Sequence, residues 1–97
     1  MTEARWKAQE RRIGKLLGLK RTPSSGVATP DLEGRNLVVE VKDRARFPTW
    51  VEAALLQAQA KAGPERLGIV VLTGPRASRD IVCLDLKDWL AYHGGDR

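Results

Sequence analysis

Apolar positions recur at helical spacing over residues 3–18. Trp6, Ile13, Leu16 and Leu17 fall on that period, and Gly18 suits a C-cap. Residues 21–26 are turn formers and read as a loop. Val27–Leu32 reads as a weak strand, broken by Pro30 and therefore short or at an edge. Glu33-Gly34-Arg35-Asn36 reads as a turn, and Leu37–Lys42 as the clearest strand of the chain. Pro48 can open a second helix at its first turn. That helix runs to about Ala62, where Gly63-Pro64 ends it. Leu67–Thr73 is a near-continuous apolar run of the kind found in buried central strands. Gly74–Arg79 reads as a loop and Asp80–Leu84 as a fourth strand. Asp85, with Asp88 three residues on, opens a last helix through Tyr92. The Gly-rich tail is expected to fray.

The order is thus α-β-β-α-β-β-α, with no repeats and no linkers, and it predicts one mixed α/β sheet flanked by helices. A chain of 97 residues has room for one domain, with its core over about 3–93. No stretch approaches the roughly 18 apolar residues of a membrane span. The opening residues lack the apolar core of a signal peptide, so a cytoplasmic protein is expected. Cys83 stands alone, with no Cys/His cluster for structural zinc, and His93 reads as a surface residue near the chain end.

Charge changes the picture. The net charge is +5. Up to Trp50 there are eleven Lys/Arg and six Asp/Glu; beyond it there are six of each. The whole basic excess therefore lies in the first half. It is either a solubilising surface or the footprint of a polyanionic partner, because each phosphate contact releases counterions. Arg5, Lys7, Arg11, Arg12, Lys15, Lys20, Arg21, Arg44 and Arg46 are the candidate DNA-contacting residues.

Three carboxylates and one lysine are each out of place locally. In Leu37–Lys42 side chains alternate, so Val39 and Val41 face one way and Val38, Glu40 and Lys42 the other. Glu40 and Lys42 then stand roughly 7 Å apart along one face. Alone, they read as a solvent-facing ion pair. Asp31 adds to them if a hairpin with an even-numbered loop, Gly34-Arg35 or Glu33–Asn36, joins the two strands. Asp31 then sits opposite Val38, on the face of Glu40 and Lys42, whereas an odd loop sends it to the other face. Glu10 shares a helical stripe with Trp6, Ile13 and Leu17, where a buried carboxylate needs a metal or a basic group as partner. Gln57 lies on a stripe with Trp50, Ala54 and Lys61. It is either an exposed helix residue or an amide presented to the polar site.

Carboxylates without His or Cys select hard cations, Mg²⁺ or Mn²⁺. Such ions polarise phosphates and lower the pKa of bound water, and a nearby Lys can orient or deprotonate that water. Together with a basic surface, this reads as phosphodiester hydrolysis. There is no Walker-type phosphate loop and no G-x-S-x-G.

Pro30-Asp31 followed by Glu40-Val41-Lys42 on the next strand resembles the PD-(D/E)XK nuclease superfamily. Ser24-Ser25-Gly26 stands just before it, as in archaeal-type Holliday junction resolvases and related small phage nucleases. The similarity covers about residues 7–85. It implies a restriction-endonuclease-like mixed central sheet flanked by helices and a Mg²⁺- or Mn²⁺-dependent DNA endonuclease acting on branched DNA. It implies Asp31, Glu40 and the Val41 carbonyl as metal ligands, with Glu10 binding directly or through water. Lys42 would act on the nucleophilic water. Ser25, or equally Ser24, would touch the scissile phosphate or a water, and Gln57 would be the polar residue of the following helix. A homodimer is implied because resolvase relatives are dimeric, as is a cytoplasmic setting, the host's if the chain is phage-encoded. The alternative is a basic DNA-binding or assembly module that keeps the fold without catalysis.

Overall fold

Helix α1, Arg5–Leu17, ends where the sequence asks it to. Gly18 takes the left-handed conformation (φ 75°), and its N–H reaches the carbonyls of Gly14 and Lys15. Leu19 N–H then donates to Gly14 O at 2.7 Å, turning the chain straight into a strand. The computed structural model describes residues 4–21 and 31–94. Ser24, Ser25 and the predicted strand residues before Asp31 lie outside the described residues.

The protein is mixed α/β. The described elements run α1, β1 (Lys20–Arg21), β2 (Leu32–Glu33), β3 (Val38–Val39), α2 (Thr49–Ala62), β4 (Val70–Leu72), β5 (Ile81–Cys83) and α3 (Leu86–His93). The helices fall close to their predicted spans. Strand β1 is not predicted by the sequence pattern, which assigns Arg21 to a loop. The described strands make two antiparallel sheets, β1-β2-β3 and β4-β5, where one mixed sheet was expected. The run Leu67–Thr73 contributes only three strand residues, and Val71 among them is exposed. β4 has one described partner strand, so an apolar run here does not mean a strand covered on both faces. None of the described helices is long and apolar enough to cross a membrane.

The chain divides into two compact units, the first reaching Ala45 and the second spanning Arg46–His93. In the first, Leu17, Leu19 and Leu32 form the buried core, with Leu32 fully enclosed. The buried face of α1 is Glu10, Gly14 and Leu17. Of the predicted stripe, Glu10 and Leu17 are buried and Ile13 is half-buried, while Trp6 is exposed, as is Leu16. Gly14 joins the buried face because it carries no side chain. A Cβ there would lie 2.8 Å from Leu19 O and 3.1 Å from Leu32 Cδ2.

The second unit repeats the device. At Gly68, a Cβ would meet Ala58 C and O at 2.8 Å and Gln59 N at 2.9 Å, so the segment leading into β4 can approach α2 this closely only through a glycine. Asp85 caps α3 as predicted. Its Oδ1 accepts the Lys87 N–H at 2.8 Å, and its carbonyl accepts the Trp89 N–H. Gln59 Nε2 crosses from α2 to donate to Asp88 Oδ2 at 2.9 Å. His93 is not a free surface residue: its ring stacks on Trp89, 4.5 Å between centroids.

Alanine at position 14 or 68 gains helix or strand propensity but meets backbone atoms that cannot swing away. Gly14→Ala and Gly68→Ala should each cost about 1–3 kcal/mol, read by urea unfolding of each variant. A gain in stability at either position would show that the close approach is not required.

Candidate active site

The β2–β3 hairpin decides the site. Leu32 pairs with Val39 and Glu33 with Val38. The Gly34 N–H donates to Leu37 O at 2.8 Å, so Arg35 and Asn36 form the tip. The loop is even, as the site required, but the register differs by two residues from the predicted pairing of Asp31 with Val38. The turn closes between Gly34 and Leu37, and not one step earlier. Continuing that register by one position sets Asp31 opposite Glu40. A two-residue shift preserves the side-chain face, because the strand period is two.

Exposure follows the same alternation. Arg21, Leu32 and Val39 occupy opposed positions and are buried or half-buried. Lys20, Glu33 and Val38, opposed in the next row, are exposed. Past the strand end, Glu40 and Lys42 are exposed and Val41 is half-buried. The half-buried Asp31 is tied to this segment: its Oδ2 accepts the Val41 N–H at 2.7 Å. The hairpin thus brings Asp31 to the middle of Glu40-Val41-Lys42 by a direct bond.

Glu10 has a different partner. It is 7% exposed, and its Oε2 accepts the Arg21 Nε–H at 2.6 Å. Opposed positions share a face, so Arg21 lies on the side of Leu32, the residue beneath α1. Of the two partners foreseen for this carboxylate, a metal or a basic group, the structure supplies the basic group. Among the described residues no three His, Cys, Asp or Glu gather in a metal-holding group. Asp31, Glu40 and the Val41 carbonyl offer oxygen donors, the type that a hard divalent cation takes. Glu10 is held by Arg21.

Gln57 is exposed on α2, within the second unit, as are Trp50 and Lys61 of its stripe, while Ala54 is half-buried. The engaged amide is Gln59, which the sequence pattern does not single out. Its spacing of four from Leu55, a half-buried residue, is the available signal. Of the predicted DNA-contacting residues, Arg11, Arg12, Lys15, Lys20, Arg44 and Arg46 are exposed. Arg12 also bonds Gln9 Oε1, and Arg44 bonds the Asp43 carbonyl. Arg21 is the exception, its side chain largely covered and committed to Glu10. Arg5 pairs with Asp43 at 2.8 Å. No family model matches the chain, and neither the curated proteins nor the solved structures compared with it give a match.

Removing Arg21 strands a buried carboxylate. Arg21→Ala should therefore cost about 3–5 kcal/mol, whereas the paired change Glu10→Leu with Arg21→Met should recover most of that loss. Urea unfolding of the two variants checks this; equal destabilisation of both would remove the ion pair as the cause.

Proposed function

We propose that this chain is a metal-dependent DNA endonuclease with a restriction-endonuclease-like core, selective for branched DNA in the manner of Holliday junction resolvases. The observation that carries the reading is the Asp31 carboxylate bonded into the Glu40-Val41-Lys42 segment at 2.7 Å. Sequence neighbours alone would not require this meeting of residues nine and more apart. It supports the reading by tying Asp31 to the backbone of the segment that carries Glu40 and Lys42.

In this reading Asp31, Glu40 and the Val41 carbonyl would hold Mg²⁺ or Mn²⁺. The ion would supply Lewis acidity to a phosphodiester and acidify water. Asp31 is oriented by the Val41 N–H, so one of its oxygens is fixed before any cation arrives. Lys42 shares the exposed side with Glu40, and its Nζ can orient the attacking water or neutralise charge developing on the phosphate. Exposure of Glu40 and Lys42 suits a substrate as large as DNA. The exposed cations of α1, with Lys20, Arg44 and Arg46, would bind its backbone. A homodimer belongs to the same proposal, since two sites related by a dyad suit paired cuts in a near-symmetric junction. The exposed Trp50 and Tyr92 are compatible with it.

One observation favours a second reading, a basic DNA-binding or assembly module without catalysis. Glu10 is occupied by Arg21 and leaves two carboxylates where the resemblance implies three.

A cleavage and gel-shift pair on one labelled four-way junction separates the readings. Asp31→Asn keeps an oxygen to accept the Val41 N–H but lacks the charge. It should lose Mg²⁺-dependent cleavage while binding the junction at least as tightly as the parent. Lys42→Ala should also abolish cleavage but leave metal affinity largely intact. Folded Asp31→Asn protein cutting at the parental rate would overturn the nuclease reading. A parent that binds and never cuts would favour the module. Charge reversal at Arg44 and Arg46 should weaken binding and flatten its salt slope by about 1 for each phosphate no longer neutralised. An unchanged slope would remove that pair from the interface.

A further inference from the structure

Trp6 is the residue on α1 whose position the core does not explain. It is 52% exposed, although its neighbours on the helix put three residues into the buried face. Two cations attend its ring. Lys7 Nζ lies over it at 5.3 Å from the centroid, and the Arg21 guanidinium carbon at 5.5 Å. Arg21 is itself held by Glu10, a buried carboxylate, through Nε at 2.6 Å. An exposed indole, half open to solvent, with two cations within 5.5 Å of its centroid, one of them held by a buried carboxylate, is a defined surface feature.

We propose that Trp6 is a stacking platform for an unpaired nucleobase, with Lys7 drawing the adjoining phosphates to it and the Glu10-bound Arg21 steadying the indole. The ligand class is single-stranded nucleic acid, or a strand opened beside a duplex. An aromatic face accepts any base, and cations beside it supply the sequence-independent attraction. Charge complementarity selects this occupant. The patch lies in the half of the chain that holds the whole basic excess. A second copy meeting the first at Trp6 would oppose cation to cation. An anionic membrane would need a continuous apolar helix face. The exposed apolar residues of α1, Trp6 and Leu16, lie about 15 Å apart along the axis, on different sides of the helix. Glu10 acquires a role here that no metal is needed to explain: it is the positioning residue that keeps Arg21 over the indole.

The proposal rests on the nucleic-acid part of the reading above and not on its catalysis. The test uses the full chain in EDTA with two labelled probes, an oligo-dT of about 12 nucleotides and a blunt duplex of the same length. Trp6→Ala should lose about 5- to 150-fold in oligo-dT affinity, the worth of one base–aromatic stack. It should lose less than about twofold on the duplex, where phosphate contacts dominate. Trp6→Phe should recover most of the loss, which a merely structural role at this position would not give. Circular dichroism checks that each variant is folded. The proposal is overturned if Trp6→Ala binds oligo-dT like the parent, or if it loses both probes equally. It is also overturned if Trp6→Phe is as weak as Trp6→Ala, if the parent binds no oligo-dT, or if Trp6 instead governs binding to phosphatidylserine vesicles. A junction-cleavage assay with Mg²⁺ runs beside it. A parent that stacks bases through Trp6 but never cuts would remove the nuclease reading alone. A parent that cuts while Trp6→Ala keeps its oligo-dT affinity would remove this proposal alone.

Discussion

Everything in the first unit follows from how closely α1 can approach the sheet at Gly14. A methyl group at that position would collide with the Leu19 carbonyl, which is backbone and cannot move aside. Without it, Leu32 closes completely beneath the helix. Burial of a leucine side chain is worth about 1.5–3 kcal/mol, so this one contact outweighs the modest helix propensity that a glycine forfeits. The approach also sets the rotation of α1. Glu10, one turn before Gly14, must then point inward.

An inward carboxylate is tolerable only with a partner, and the sheet provides one. Arg21 and Leu32 are opposed across β1 and β2, so Arg21 is delivered to the covered face by the same pairing that buries Leu32. The pair explains a separation of duties on the hairpin. The covered face holds Glu10, Arg21, Leu32 and Val39. Glu40 and Lys42 remain exposed, with Asp31 bonded into the segment between them. Acidic groups that resemble a single site in sequence are therefore divided, two to the exposed segment and one to an internal ion pair.

The second unit obeys the same packing logic with different polar outcomes. Gly68, two residues before β4, lets the chain touch the α2 backbone at Ala58 and Gln59; along α2, Val51, Ala54, Leu55 and Ala58 are half-buried and Trp50 and Gln57 exposed. Gln59 then joins α2 to Asp88 of α3, while Asp85 serves the start of α3 itself. These polar groups are consumed by structure.

Much of this was legible in the residues alone. The three helices, the Gly18 and Asp85 ends, and the alternation of Val38 to Lys42 all rest on local rules of period and capping. The face of Asp31 was legible only on the condition of an even loop, which the pairing of Leu32 with Val39 supplied. What the sequence could not decide was anything set by a close approach between elements. Which residues at the edge of a stripe are covered depends on where a missing Cβ lets backbones touch. Tertiary contact chose Arg21 as the partner of Glu10, left Trp6 in solvent, and engaged Gln59 where Gln57 was expected. Local sequence determined the elements and the chemistry available; tertiary contact determined which of those groups meet, because neighbours on a helix point about 100° apart and only packing decides which of them is covered.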